Sequence, residues 1–149
     1  MITTALKEVF KRDLLKLKKE IELYKEDATL WKIENTINNS GGNLCLHLIG
    51  NLKTYIGNGL TDIGYQRNRE FEFAGKMVDR NILYREIEET IEIVERALTL
   101  ITEAQLGGDF PMLIWEEKTG MTFTLIHLHG HLNYHLGQIN YHRRILENE

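Results

Sequence analysis

The segment HLHGHLNYHLGQINYH, residues 127–142, holds five of the chain's six histidines. Neutral imidazole is a common ligand for zinc, nickel, copper and iron, and histidine also exchanges protons near neutral pH. At about 100° per residue, with His131 set at zero, His127 falls near −40°, His135 near +40°, Gln138 near −20° and His142 near +20°. These side chains share one helix face. Leu128, Leu132 and Ile139 fall between about 60° and 100°, so the imidazole face borders an apolar stripe. His129 falls near 160° and reads as a surface residue.

A His-x-x-x-His pair sets two ring nitrogens one turn apart, where both reach a single ion through bonds of about 2.0–2.1 Å. Such a pair alone is a weak signal. His47 strengthens it. It is the one histidine outside the segment, and it shares helical spacing with Leu44, Leu48 and Asn51, so it faces the interior. One ligand from its helix and two from the segment make a three-histidine site in the core. Unpartnered buried imidazoles are costly, whereas one metal ion satisfies all three together. Three neutral ligands leave the ion its full charge and open positions, the pattern of a reactive site. Such an ion lowers the pKa of bound water or holds a thiolate. HLNYH lacks the glutamate that a zincin needs after its first histidine, and no Glu-x-x-His occurs, which disfavours a carboxylate-bridged di-iron centre.

The elements that must position these residues are helices. Leu6, Val9, Phe10, Leu14, Leu17, Ile21 and Tyr24 recur at helical spacing over residues 3–25. NNSGGN is turn chemistry, with Ser40 or Asn43 as the cap of a second helix over 43–56. Gly57 reads as its C-terminal stop. A third helix spans 81–106, with Leu83, Ile87, Ile91, Val94, Leu98 and Ile101 as its stripe. Residues 111–121 read as an irregular link with a short hairpin near Lys118–Gly120. Thr122 is placed to cap the fourth helix, which runs to about residue 146. The polar, aperiodic stretch 58–80 is long enough to cross the length of a bundle, so the second and third helices are expected to run parallel. The expectation is one all-α domain, residues 1–149: a four-helix bundle with a long crossover between helices 2 and 3.

Composition narrows the function. Hydrophobic residues make up 42% and charged residues 27% of the 149, ordinary for a globular domain. Net charge is −4, without a basic block, so nucleic acid is not an expected partner. The N-terminus has no signal-peptide core, and no apolar run is long enough to span a membrane. A single cysteine, Cys45, forms no intrachain disulfide and fits a cytoplasmic setting.

NSGGNLCLHLIGNL (39–52), QRNREFEF (66–73) and HLNYHLGQINYHRRIL (131–146) resemble the DinB-like superfamily of damage-inducible metalloproteins, closest to a branch of unknown function. The likeness runs from LYKEDATLW at 23–31 to the C-terminus. It implies a four-helix bundle with the crossover. It implies a divalent metal, zinc or nickel, held by residues that match His47, His131 and His135. It also implies a homodimer and chemistry with a low-molecular-weight thiol such as bacillithiol or mycothiol.

The expected function is therefore a metal-dependent thiol S-transferase acting on a small molecule, with no separate catalytic residue evident. The alternatives are a metal-dependent hydrolase and a non-catalytic metal-binding stress-response protein. Asn51 and Gln138 are candidates to orient a ligand ring or a water, and His127 and His142 to add donors beside the site. Tyr55 and Tyr134 line an opening to the metal or pack the core. Cys45 falls on the far face from His47. Arg67, Arg69, Glu70 and Glu72 form either an anion-binding lid, part of a dimer contact, or an ion-pair network that pins the crossover.

Overall fold

A computed structural model of the chain describes residues 1–148, and the fold is all-α. Four long helices enclose the core: α1 (Ile2–Leu23), α3 (Gly41–Leu52), α6 (Arg80–Leu100) and α8 (Met121–Leu146). Shorter helices join them: α2 (Asp27–Leu30), α4 (Gly59–Thr61), α5 (Arg69–Ala74) and α7 (Glu103–Leu106). None of the helices is long and apolar enough to cross a membrane.

The apolar spacing of α1 becomes a buried face of Leu6, Phe10, Leu14, Leu17 and Ile21. Leu83, Ile87, Val94 and Leu98 meet it from α6. α3 is buried on nearly every side, so it lies at the centre of the packing. Ser40 caps it by accepting a hydrogen bond from the Asn43 amide at 3.1 Å. At the other end of α1, Arg80 donates to the carbonyls of Ile21 and Tyr24 and so satisfies the open turn.

Side-chain pairs fix the helix directions. Lys7–Thr99, Lys11–Glu95 and Lys18–Glu88 run α1 antiparallel to α6. Asp13 meets His129 and Asn133, and Glu20 meets Asn140 and Arg143, so α1 and α8 are parallel. Lys53 bonds Glu86 and Glu89, and the backbone at Gly57 approaches Ile93, so the α3 segment and α6 are parallel.

Three boundaries differ from the sequence expectation. Gly57 does not stop the second helix: a π-helical turn, Lys53–Asn58, continues it into α4, and Asp62 ends it in the left-handed region at φ 49°. Gly57 is needed for space instead, because a Cβ there would lie 2.6 Å from Ile63. The third helix stops at Leu100. Thr102 and Gln105 form a capping box that starts α7 as a separate helix. Thr122 does not cap α8; its hydroxyl donates to the Leu106 carbonyl at 3.1 Å, and Gly120 occupies the cap position. The expected hairpin reduces to one antiparallel bridge, Asp109–Gly120.

Candidate metal centre

α3 and α8 face each other with His47 opposite His131 and His135. His47 is 7% exposed and the other two are partly buried. His47 Nε2 lies 3.2 Å from His131 Nε2, which lies 3.1 Å from His135 Nε2. The three rings offer ligand atoms that all lie within 4.8 Å of one another. Nitrogens bound tetrahedrally to one ion at about 2.0–2.1 Å stand about 3.3 Å apart, so the spacing fits a shared metal ion.

The opposite ring nitrogens decide the tautomers. Glu72 Oε1 lies 3.0 Å from His47 Nδ1. Burial pushes the Glu72 carboxyl up, but hydrogen bonds from His47 and Arg67 outweigh it and hold the pKa below its ordinary value. A carboxylate only accepts, so His47 Nδ1 carries the proton and Nε2 its lone pair. Gln138 Oε1 accepts from His135 Nδ1 at 2.7 Å, which leaves His135 Nε2 bare in the same way. His131 Nε2 sits between two lone pairs and can donate to only one. Burial, reinforced by the neighbouring His135 and His47, lowers the His131 pKa to about 4, so this ring is neutral at physiological pH. A cation relieves the remaining lone-pair contact; the donor set fits a metal.

Glu72 is the residue at the candidate site that the sequence pattern did not assign to it. It lies on α5, inside the stretch read as irregular. Asn68 caps that short helix by accepting from the Phe71 amide at 3.0 Å. Asn43 ties it to α3 by donating to the carbonyls of Glu72 and Gly75 at 3.0 and 2.8 Å. Arg67 grips both carboxylate oxygens at 2.8 and 2.9 Å. Gly50 makes the approach possible, since a Cβ there would collide with the carboxylate. Of the charge cluster, Arg67 and Glu72 form the ion pair that holds α5 against α3 and aims one carboxylate at His47.

The other candidates separate. Gln138 touches His135 as described. Asn51 is buried one turn beyond His47, and its Oδ1 has no hydrogen-bond partner among the described residues. His127 stacks on His131, with centroids 6.5 Å apart, and carries Trp115 on its edge at 4.5 Å. His142 is placed elsewhere. Its Nδ1 accepts from the Tyr24 hydroxyl at 2.6 Å and its Nε2 donates to the Lys32 carbonyl at 2.8 Å, so both nitrogens tie α8 to the segment that follows α1. His129 is not a free surface residue: its Nε2 lies 2.7 Å from the fully buried carboxylate of Asp13. Cys45 is fully buried, and burial pushes its thiol up to about 12, so it stays protonated.

The sequence model of a family described as a protein of unknown function, DUF1572, matches residues 3–149 of the chain. None of the curated proteins matches it. Among solved structures, it is similar to a conserved protein from Enterococcus faecalis, with a TM-score of 0.76 at 16% identity, covering 100% of this chain and 99% of that one. That likeness is one of fold.

Proposed function

Because this chain belongs to the DUF1572 family, whose function is unknown, we propose its role from the site itself. It holds a divalent ion, zinc or nickel, on His47, His131 and His135, and transfers a low-molecular-weight thiol to an electrophilic small molecule. The observation that carries this reading is the convergence of three Nε2 atoms, two of them with their Nδ1 protons already anchored. The parallel pairs α1–α8 and α3–α6 support a four-helix bundle of the DinB-like type, with residues 62–79 as the crossover. A divalent ion on three neutral imidazoles supplies undiminished positive charge, which favours a thiolate over its thiol.

The protein's own groups do the rest. Glu72 and Gln138 hold two ligand rings in orientation. Both oxygens of the Glu72 carboxylate are engaged, so it is not available to take a proton from water. Thiol transfer needs no base from the protein, because the thiol gives its proton to solvent before attack. Sulfur then forms its bond to carbon as the leaving group departs with the bonding electrons. A cytoplasmic setting, with a reduced thiol pool and the unpaired Cys45, belongs to the same reading.

The test mixes zinc-loaded protein with cysteine as the thiol and monochlorobimane as the electrophile. Metal-dependent loss of thiol, with chloride released, is expected. Turnover of 4-nitrophenyl acetate without thiol would favour the hydrolase instead. Neither activity, with a large fall in melting temperature on chelation, would make the metal structural. Within this account, Glu72→Gln removes the acceptor charge behind His47 and lowers zinc affinity about 10- to 100-fold. Competition with a chromophoric chelator measures it; an unchanged affinity would remove Glu72 from the site.

We also propose that the protein is a homodimer, as the resemblance to the DinB-like superfamily implies. Light scattering is expected to give twice the chain mass; the mass of a single chain would remove the dimer.

A further inference from the structure

Each ring of the three-histidine cluster lies against an aromatic side chain or against a ring that carries one. Phe73 on α5 lies 4.9 Å from His47, with the ring planes 36° apart. Tyr134 on α8 lies 5.2 Å from His135. Trp115, from the link before α8, reaches His131 through His127. Three separate segments of the chain thus bring aromatics to the cluster or to the histidine beside it. Core packing accounts for Phe73, which is partly buried. It does not account for Tyr134, 66% exposed against His135, or for Trp115, 40% exposed against His127 beside the cluster. Large aromatic faces left in water beside a reactive centre gain most when a flat apolar partner covers them. Arg67 is consumed by Glu72, and Arg69 lies over the Phe73 ring at 5.9 Å.

We propose that Phe73, Trp115 and Tyr134 form the rim that receives the electrophile, and that this substrate is a planar aromatic or conjugated molecule. This rests on the metal reading above. The experiment separates the two. Acetohydroxamic acid and 2-naphthohydroxamic acid present the same chelating head and differ only in the body that the rim would grip. Titrations of zinc-loaded protein, followed by tryptophan fluorescence and calorimetry, give both affinities.

The naphthyl compound is expected to bind on the order of 10- to 100-fold more tightly, from the extra apolar area it buries. Trp115→Ala and Tyr134→Ala are each expected to cut that preference, read as the ratio of the two affinities within each variant, about fivefold or more, as removal of an aromatic contact should. Acetohydroxamate binding without a naphthyl preference, or a preference that both variants retain, overturns the rim while sparing the metal site. Binding of neither compound overturns both. If Tyr134→Ala changes the chain's mass in solution and the naphthyl preference is missing, a second copy covers the rim, and the proposal is wrong.

Discussion

Replacing His47 by alanine is expected to remove the metal. The wild-type protein should retain about one divalent ion per chain, and His47→Ala should lose it with an affinity drop of about a thousandfold or more, as for a structural ligand in a small site. The reason is geometric. His131 and His135 are one turn apart on α8 and present two nitrogens, whereas His47 is the only ligand from the opposite helix. Without it the pair becomes an ordinary weak two-histidine site. Elemental analysis of both proteins after chelator washing measures the effect. Equal metal in both would mean that the ion binds elsewhere.

The second large effect concerns stability. Asp13 is fully buried on α1 and binds Arg12 through both oxygens, His129 at 2.7 Å and Asn133 at 2.9 Å. Burial alone would push its carboxyl up, but the bonds from Arg12, Asn133 and His129 hold it far below the ordinary carboxylate range. Asp13→Ala removes these bonds while Arg12 and Asn133 turn to solvent, and it is expected to cost about 2 kcal/mol, as for lost hydrogen bonds to a charged group. Denaturant unfolding at neutral pH measures it. The pH dependence follows from the direction of the shift. A depressed folded-state pKa contributes stability that is fully present above the unfolded value near 3.9 and is lost as the pH falls through the folded one. The wild type should therefore lose stability progressively below about pH 4, and Asp13→Ala should lose less over the same window. Parallel curves for the two proteins would show that Asp13 does not carry the acid response.

What the sequence revealed depended on whether a signal was periodic. The stripe of α1 and the histidine face of α8 repeat at helical spacing, so both were legible. His47 was legible because its neighbours Leu44 and Leu48 mark its face as interior. Gly57 misled because a glycine kept for close packing against Ile63 reads like one kept for a left-handed turn. The break after Leu100 was hidden in a continuous apolar stripe, although Thr102 and Gln105 carry the capping-box pattern that announces a new helix. Glu72 was hidden for another reason. Its role comes from α5 folding back on α3 through Gly50 and Asn43, contacts between segments far apart in sequence. His142 shares the angular position of the other histidines, yet Tyr24 and Lys32 claim both of its nitrogens. Angle on a helix fixes the face of a side chain, but not which neighbour reaches it first.

The claim that three histidines share one ion is tested most directly by X-ray absorption at the zinc edge of untagged protein loaded with one equivalent of zinc. The account predicts three imidazole nitrogens at about 2.0–2.1 Å, with the imidazole count reduced in His47→Ala. A shell of oxygen ligands alone, or protein that takes up no zinc or nickel, would contradict it.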